Sequence, residues 1–162
     1  VLISRIGVRI YIEVRRVEMS PEGPVTDAKI KTIAQPPPTT NVSYQFTQTG
    51  AVTLEGLDCT SGSTNLGEGP FSILSELADY LRQNPNTKIV LVGHSDAVGG
   101  LEGNIAISKQ RAEAVRQRLI SKYGIQKSRI TAEGIAFLSP RASNQTPEGR
   151  EQNRRVEAVV LQ

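Results

Sequence analysis

From Lys88 to Val92 the chain reads Lys-Ile-Val-Leu-Val, and Gly93-His94-Ser95-Asp96 follows at once. A short apolar run closed by a glycine reads as a strand in the interior of a sheet, because an edge strand would show alternating polar positions. An interior strand needs a partner on each side. The sequence offers them at Val52–Leu57, at Arg129–Ala136, and at Val156, Ala158 and Val160, which alternate with Glu157 and Val159 in a closing strand.

The segments between these strands carry helical spacing. Pro70 is placed to open a helix whose Phe71, Leu74, Ala78 and Leu81 share one face, and Asn84-Pro85-Asn86 stops it. The longest helix is expected over about Asn104–Tyr123, with Ile105, Ala112, Val115 and Leu119 as its inward stripe and Gly124 as its terminator. Thr146 caps a short helix with Pro147 at its first position. Thr60–Gly69, rich in Ser, Gly and Thr, reads as a loop. The order βαβαβ(α)β predicts an α+β fold, a two-layer sandwich with helices on one face of a mixed sheet.

Upstream, Ile6, Val8, Ile10, Ile12 and Val14 alternate with more polar residues, the period of a half-buried strand. Val25–Ala34 is ambiguous. Pro36-Pro37-Pro38-Thr39-Thr40 reads as a stiff extended linker, since consecutive prolines can continue neither a helix nor a central strand. These features divide the chain into a β-rich N-terminal segment of unassigned role (1–35), a Pro-rich linker (36–50) and a domain (51–162). The chain opens at Val1 without a Met, which reads as a fragment or a processed chain, so that any export signal or anchor would be out of view.

Composition narrows the function classes. The net charge of +3 and pI near 9.2 reflect a mild basic excess, and the seven Phe and Tyr residues are scattered, so no aromatic platform supports nucleic-acid binding. The single cysteine, Cys59, forms no internal disulfide or cysteine metal cluster and reads as a small buried hydrophobe. No apolar run approaches the roughly 20 residues of a membrane helix, so membrane anchoring is expected only through parts outside this chain.

The turn after the apolar strand resembles at first sight that of a serine hydrolase. A nucleophile elbow needs Gly-x-Ser-x-Gly, whereas Gly93-His94-Ser95-Asp96-Ala97 lacks the last glycine. The general base fails as well. His94 is the only histidine in the chain, and strand geometry points it away from its neighbour Ser95. A lone histidine is equally poor as a metal site. No paired acids or phosphate-cradling glycine loop stands out, so no catalytic residue, cofactor or metal is expected. The chain reads as a binder.

Asp96 lies just past the carboxyl end of an interior strand, a favoured ligand position in open sheets. Asn104 and Arg111 are nearly two helical turns apart, so they share one face of the long helix, with Ser108 between them. A carboxylate facing an amide and a guanidinium is suited to a zwitterion. Asp96 would accept from an ammonium, and Arg111 would fork onto a carboxylate. A free amino-acid end carries both groups on one carbon.

GHSDAVGGLEGNIAISKQRAEAV (Gly93–Val115) resembles the signature of OmpA-like peptidoglycan-binding domains, GHTD…N…LS..RA..V, and TPEGREQNRRVE (Thr146–Glu157) resembles their second block, T.EGR..NRRVE. The resemblance covers about Ala51–Gln162. It implies non-catalytic binding of the diaminopimelate in the cell-wall stem peptide, anchoring the outer membrane or an envelope complex to peptidoglycan. Asp96 and Arg111 are implied as the clamp, Asn104 and Arg154 as further lining, and Ser95 as keeping the hydroxyl of the usual Thr. The location implied is periplasmic, at the outer membrane of a Gram-negative bacterium. The same fold used as a protein-interaction module remains an alternative, with other envelope proteins as partners, and a serine hydrolase is a remote one. The parent type and the oligomeric state stay open.

Departures from the family pattern fall at three places. Cys59 stands where a Phe is usual, and Thr60 and Gly62 stand where acidic or amide side chains are common, so Gly62 would offer backbone groups only. Gly103 replaces a common aromatic and thins one wall of the implied pocket.

Overall fold

A computed structural model of the chain describes residues 41–57, 66–67 and 69–161. The expected N-terminal strand, the Pro36–Thr40 linker, Cys59, Thr60 and Gly62 lie outside the described residues. In chain order the elements are α1 (Val42–Thr49), β1 (Ala51–Thr53), α2 (Ser72–Gln83), β2 (Lys88–Gly93), α3 (Leu101–Ser121), a short 3-10 turn (Lys127–Arg129), β3 (Ile130–Gly134), α4 (Pro147–Asn153) and β4 (Val156–Leu161).

The four strands form one sheet in the order β1-β4-β2-β3. β4 runs antiparallel to both β1 and β2, whereas β2 and β3 are parallel. The expected α+β layering with a mixed sheet is therefore the observed one. Register separates the faces. Leu91 lies opposite Ala158 and Ala132, and Ile89 opposite Val160 and Ile130. Ile89, Leu91, Ile130, Val52, Val156 and Ala158 are buried with Leu74, Leu77, Leu81, Val115 and Leu119 of the helices, and this is the core. β2 is interior in the hydrogen-bonding direction, but Val90 and Val92, on the other face, are only half-buried. Its apolar run reflects position between two strands, not cover on both faces.

Several expected boundaries move, each for a local reason. β1 stops at Thr53, well before Leu57, because Gly56 takes a left-handed conformation (φ 76°) that turns the chain away. α3 begins at Leu101, before Asn104, with Gly100 as its cap. At its far end Gly124 (φ 69°) lets the Ile125 N–H reach back to the Leu119 carbonyl at 3.1 Å, the closure expected of a terminating glycine. Ile105 does not belong to the inward stripe. It is 39 % exposed, and the buried face runs through Asn104, Ser108, Arg111, Ala112, Val115 and Leu119. The first turns of that face are polar: Asn104, Ser108 and Arg111 are buried there.

The linker expected over 36–50 is not one in its described part. Asn41 accepts from the Tyr44 N–H at 3.2 Å and Gly50 (φ 72°) closes the other end, so Val42–Thr49 is a capped helix. Val42 and Phe46 enter the core, and the Phe46 and Tyr80 rings lie 4.9 Å apart.

Two glycines bring α3 down onto the sheet. A methyl group at Gly93 would collide with the backbone carbonyl of Ser108, and one at Gly134 with the backbone of Lys109. The close approach they permit sets the height of Asn104 and Arg111 above the end of β2.

Candidate binding site

His94, Ser95 and Asp96 follow β2 directly, and this backbone is pinned from two sides. The His94 N–H donates to the Arg155 carbonyl at 2.9 Å, and the Ser95 N–H donates to the Ala136 carbonyl at 2.9 Å. Ala136 is held in a left-handed conformation (φ 53°), which costs an alanine about 1–2 kcal/mol. Its own N–H donates to Ser108 Oγ at 3.1 Å, so one residue ties α3 to the turn that carries Asp96. Ser108, half-way along the expected ligand face, is thus a structural strut.

The turn itself is braced by the site residues. Asp96 Oδ1 accepts from the Val98 N–H at 3.1 Å. Asn104 Nδ2 donates to the Val98 carbonyl at 2.9 Å and to the Gly100 carbonyl at 3.0 Å, which holds the loop before α3 against the helix. Asp96 Oδ2 accepts from Arg154 Nη1 at 2.9 Å. Arg111 is 2 % exposed and its Nη1 lies 3.4 Å from the His94 carbonyl. Ser95 Oγ donates to the Asp96 carbonyl at 2.9 Å.

Ser95, Asp96, Asn104, Arg111 and Arg154 all line one cavity of about 280 Å³. Gly62, the remaining expected residue, is outside the described residues. The cavity has further walls that the motif reading missed: Val98, Gly99, Gly100 and Ile107. The Gly99-Gly100 pair was the available signal, since Gly99 takes φ 89° where the chain turns into the helix. The arrangement offers a carboxylate, an amide and two guanidiniums around a small cavity whose remaining walls are largely apolar or glycine. Among the described residues no cluster of His, Cys, Asp and Glu is arranged to hold a metal.

Behind the cavity lies a second set of charges. His94 Nε2 is 3.5 Å from Glu157 Oε2, at the outer edge of hydrogen-bond range, and the His94 ring nitrogens are buried with no other close partner among the described residues. Arg155 Nε makes the firmer contact, at 2.7 Å from Glu157 Oε1. The adjacent His94 ring, then Arg155, outweigh burial and hold the Glu157 carboxyl down at about 2. His94 and Ser95 therefore engage different partners, and no Ser–His pair forms.

Residues 60–154 match the OmpA family. The outer membrane porin F of Pseudomonas aeruginosa is 42% identical over 93 residues, covering 57% of this chain and 27% of that protein. The peptidoglycan-binding protein ArfA of Mycobacterium tuberculosis is 40% identical over 90 residues, covering 56% of this chain and 27% of that protein. The chain thus matches about a quarter of the length of either relative. Among solved structures, the peptidoglycan-associated lipoprotein of Burkholderia pseudomallei superposes with a TM-score of 0.57 at 30% identity, over 62% of this chain and 84% of that one. With the match spanning more than half of its residues, the chain belongs to the OmpA family.

Proposed function

We propose that this protein binds peptidoglycan without catalysis, taking the free amino-acid end of diaminopimelate in the cavity between Asp96 and Arg111, and so fastens an envelope component to the cell wall. The observation that carries the reading is the convergence of Asp96, Asn104, Arg111 and Arg154 on one small cavity. Relatives with wall-related names, the peptidoglycan-binding ArfA and the peptidoglycan-associated lipoprotein, support the ligand class.

In this reading Asp96 receives the ammonium. Its two oxygens already accept from Arg154 and Val98, and a carboxylate has about four lone-pair sites, so room for a further donor remains. Arg111 receives the carboxylate. Its burial removes competing water, which strengthens a forked charge-assisted pair. Asn104 offers its Oδ1, since its Nδ2 is spent on the loop. The protein works in the periplasm, at the outer membrane of a Gram-negative cell. No helix among the described residues is long and apolar enough to cross a membrane.

Calorimetric titration with three soluble muropeptides tests the reading. A peptide with unmodified meso-diaminopimelate should bind. One with lysine at that position lacks the second carboxylate, and one with amidated diaminopimelate offers Arg111 a neutral amide. Each should bind at least about tenfold more weakly. Equal affinity for the lysine peptide would refute recognition of the zwitterion.

A further inference from the structure

The cavity does not end at Arg154. The same side chain lines a second groove of about 300 Å³, whose other walls include Glu55, Arg141, Glu151, Gln152 and Arg155. That groove shares Thr53, Glu55, Gly56 and Arg141 with a wider depression of about 530 Å³ reaching towards α1 and α2. A polar trough therefore leads away from the site described above, with Arg154 at the junction.

Three arginines face two glutamates in the nearer groove. Their engagements differ. Arg154 is tied to Asp96, and Arg155 to Glu157 and to the Ser139 carbonyl. Arg155 Nη1 is buried with no hydrogen-bond partner among the described residues. Among the described residues the half-exposed Arg141 side chain makes only long contacts, 3.7 Å to Glu55 Oε1 and 3.4 Å to Thr53 Oγ1. Neither contact has the geometry of a strong ion pair, so a better acceptor can displace them.

The backbone of Arg141 is nevertheless fixed. The fully buried Asn153 accepts from the Arg141 and Ala142 N–H groups at 2.7 and 3.0 Å and donates to the Ala142 carbonyl and to Asn144 Oδ1. Asn144 Oδ1 in turn accepts from the Ala97 N–H at 3.1 Å, beside Asp96. The loop presenting Arg141 is thus braced against the turn that presents Asp96. Such bracing suits two points of contact on one extended ligand, because both anchors are held before the ligand arrives.

We infer that the groove beyond Arg154 is a second subsite, which takes a carboxylate on a residue neighbouring diaminopimelate in the same wall peptide, with Arg141 as its main cation. The inference rests on the reading of the first site. Two carboxylates could fill the role: the free α-carboxylate of the γ-linked glutamate before diaminopimelate, or the terminal carboxylate of the D-alanine after it.

The test is titration of the whole chain with free meso-diaminopimelate and with the tetrapeptide L-Ala-γ-D-Glu-meso-diaminopimelate-D-Ala. The unaltered protein should bind the tetrapeptide more tightly. Arg141→Ala should weaken the tetrapeptide about two- to fivefold, the upper range of a partly exposed ion pair, and leave free diaminopimelate unchanged. Amidating the responsible carboxylate should weaken the unaltered protein equally and have no added effect on Arg141→Ala. Sensitivity to the glutamate amide assigns the glutamate, and sensitivity to the alanine amide assigns the alanine. Equal tetrapeptide affinity with and without Arg141, or a loss that extends equally to free diaminopimelate, overturns the second subsite. Failure of the unaltered protein to bind either ligand overturns the first site instead.

Discussion

Arg154 Nη1 donates to Asp96 Oδ2 at 2.9 Å across 58 positions of sequence, and the two side chains are only 17% and 9% exposed. The carboxylate proposed to receive an ammonium thus has a cationic partner without any ligand. Its charge is held in place in advance, and an arriving ammonium joins an existing pair. This lowers the reorganisation needed on binding, at the expense of some attraction between Asp96 and the newcomer.

The clamp is best tested with substitutions that keep shape. Asp96→Asn retains an acceptor for the Val98 N–H but removes the negative charge, and Arg111→Lys retains charge but removes the fork. Each should weaken binding to purified sacculi by about 2–5 kcal/mol, enough to abolish co-sedimentation. Far-ultraviolet circular dichroism should stay native. Retained pulldown by both variants would remove Asp96 and Arg111 from the site.

Gly93→Ala and Gly134→Ala should both be costly although neither residue meets the ligand directly. Each added methyl would meet α3 backbone, which cannot swing aside as a side chain can. The expected loss is about 1–3 kcal/mol or more, read from the midpoint of urea unfolding. Gly103→Ala serves as the control, since its surroundings are open and alanine is favoured over glycine within a helix, here in the first turn of α3. A Gly93 variant as stable as the Gly103 one would refute the close packing described.

The pH dependence of stability should carry the signature of Glu157. Its folded-state value of about 2 lies below the usual 4.5, so folding favours the ionised form. The stabilisation is complete above about pH 4.5 and is lost as the pH falls towards 2. Glu157→Gln should therefore cost about 1–3 kcal/mol at pH 7, nearly as much at pH 5, and about half or less at pH 3. A difference that is flat over that range would mean the carboxyl gains nothing from His94 and Arg155.

What could be read from sequence follows from range. Asp96 at a strand end and Asn104 and Arg111 on one helical face are fixed by local periodicity, and the structure brings them to one cavity, while Ser108 between them ties the helix to Ala136. Ile105 is apolar and its spacing suits an inward position, whereas this helix buries the polar stripe of Asn104, Ser108 and Arg111 instead. Arg154 was assigned through the family block alone, since nothing local says that its side chain returns to Asp96. The contacts of Gly93 and Gly134 with α3, and the Asn153–Asn144–Ala97 brace, depend on tertiary approach and leave no periodic trace. The α1 helix was different. Asn41 and Gly50 stand at its two caps, while the prolines just upstream and the β-branched Val42, Thr47 and Thr49 disfavour a helix in isolation.

That helix supplies the last prediction. If residues up to Gly50 were only a tether, a chain beginning at Ala51 would be as stable as one beginning at Asn41. The structure indicates otherwise. Val42 and Phe46 are 2% and 7% exposed within the core, and Phe46 meets the Tyr80 ring of α2. The Val160 N–H also donates to the Gly50 carbonyl at 2.9 Å, so the end of α1 is stitched to the sheet. Removing α1 strips cover from α2 and β1 and leaves a hollow that no other described element fills. Full burial of side chains of this size contributes about 1.5–3 kcal/mol each. The Ala51 chain should lose about 3–5 kcal/mol relative to the Asn41 chain, a large part of the stability of a domain this size. Phe46→Ala in the full chain should reproduce about 3 kcal/mol or more of that loss. The comparison is made by urea unfolding of all three proteins. Coincident unfolding curves for the Asn41 and Ala51 chains would return this segment to the linker that its prolines first suggested.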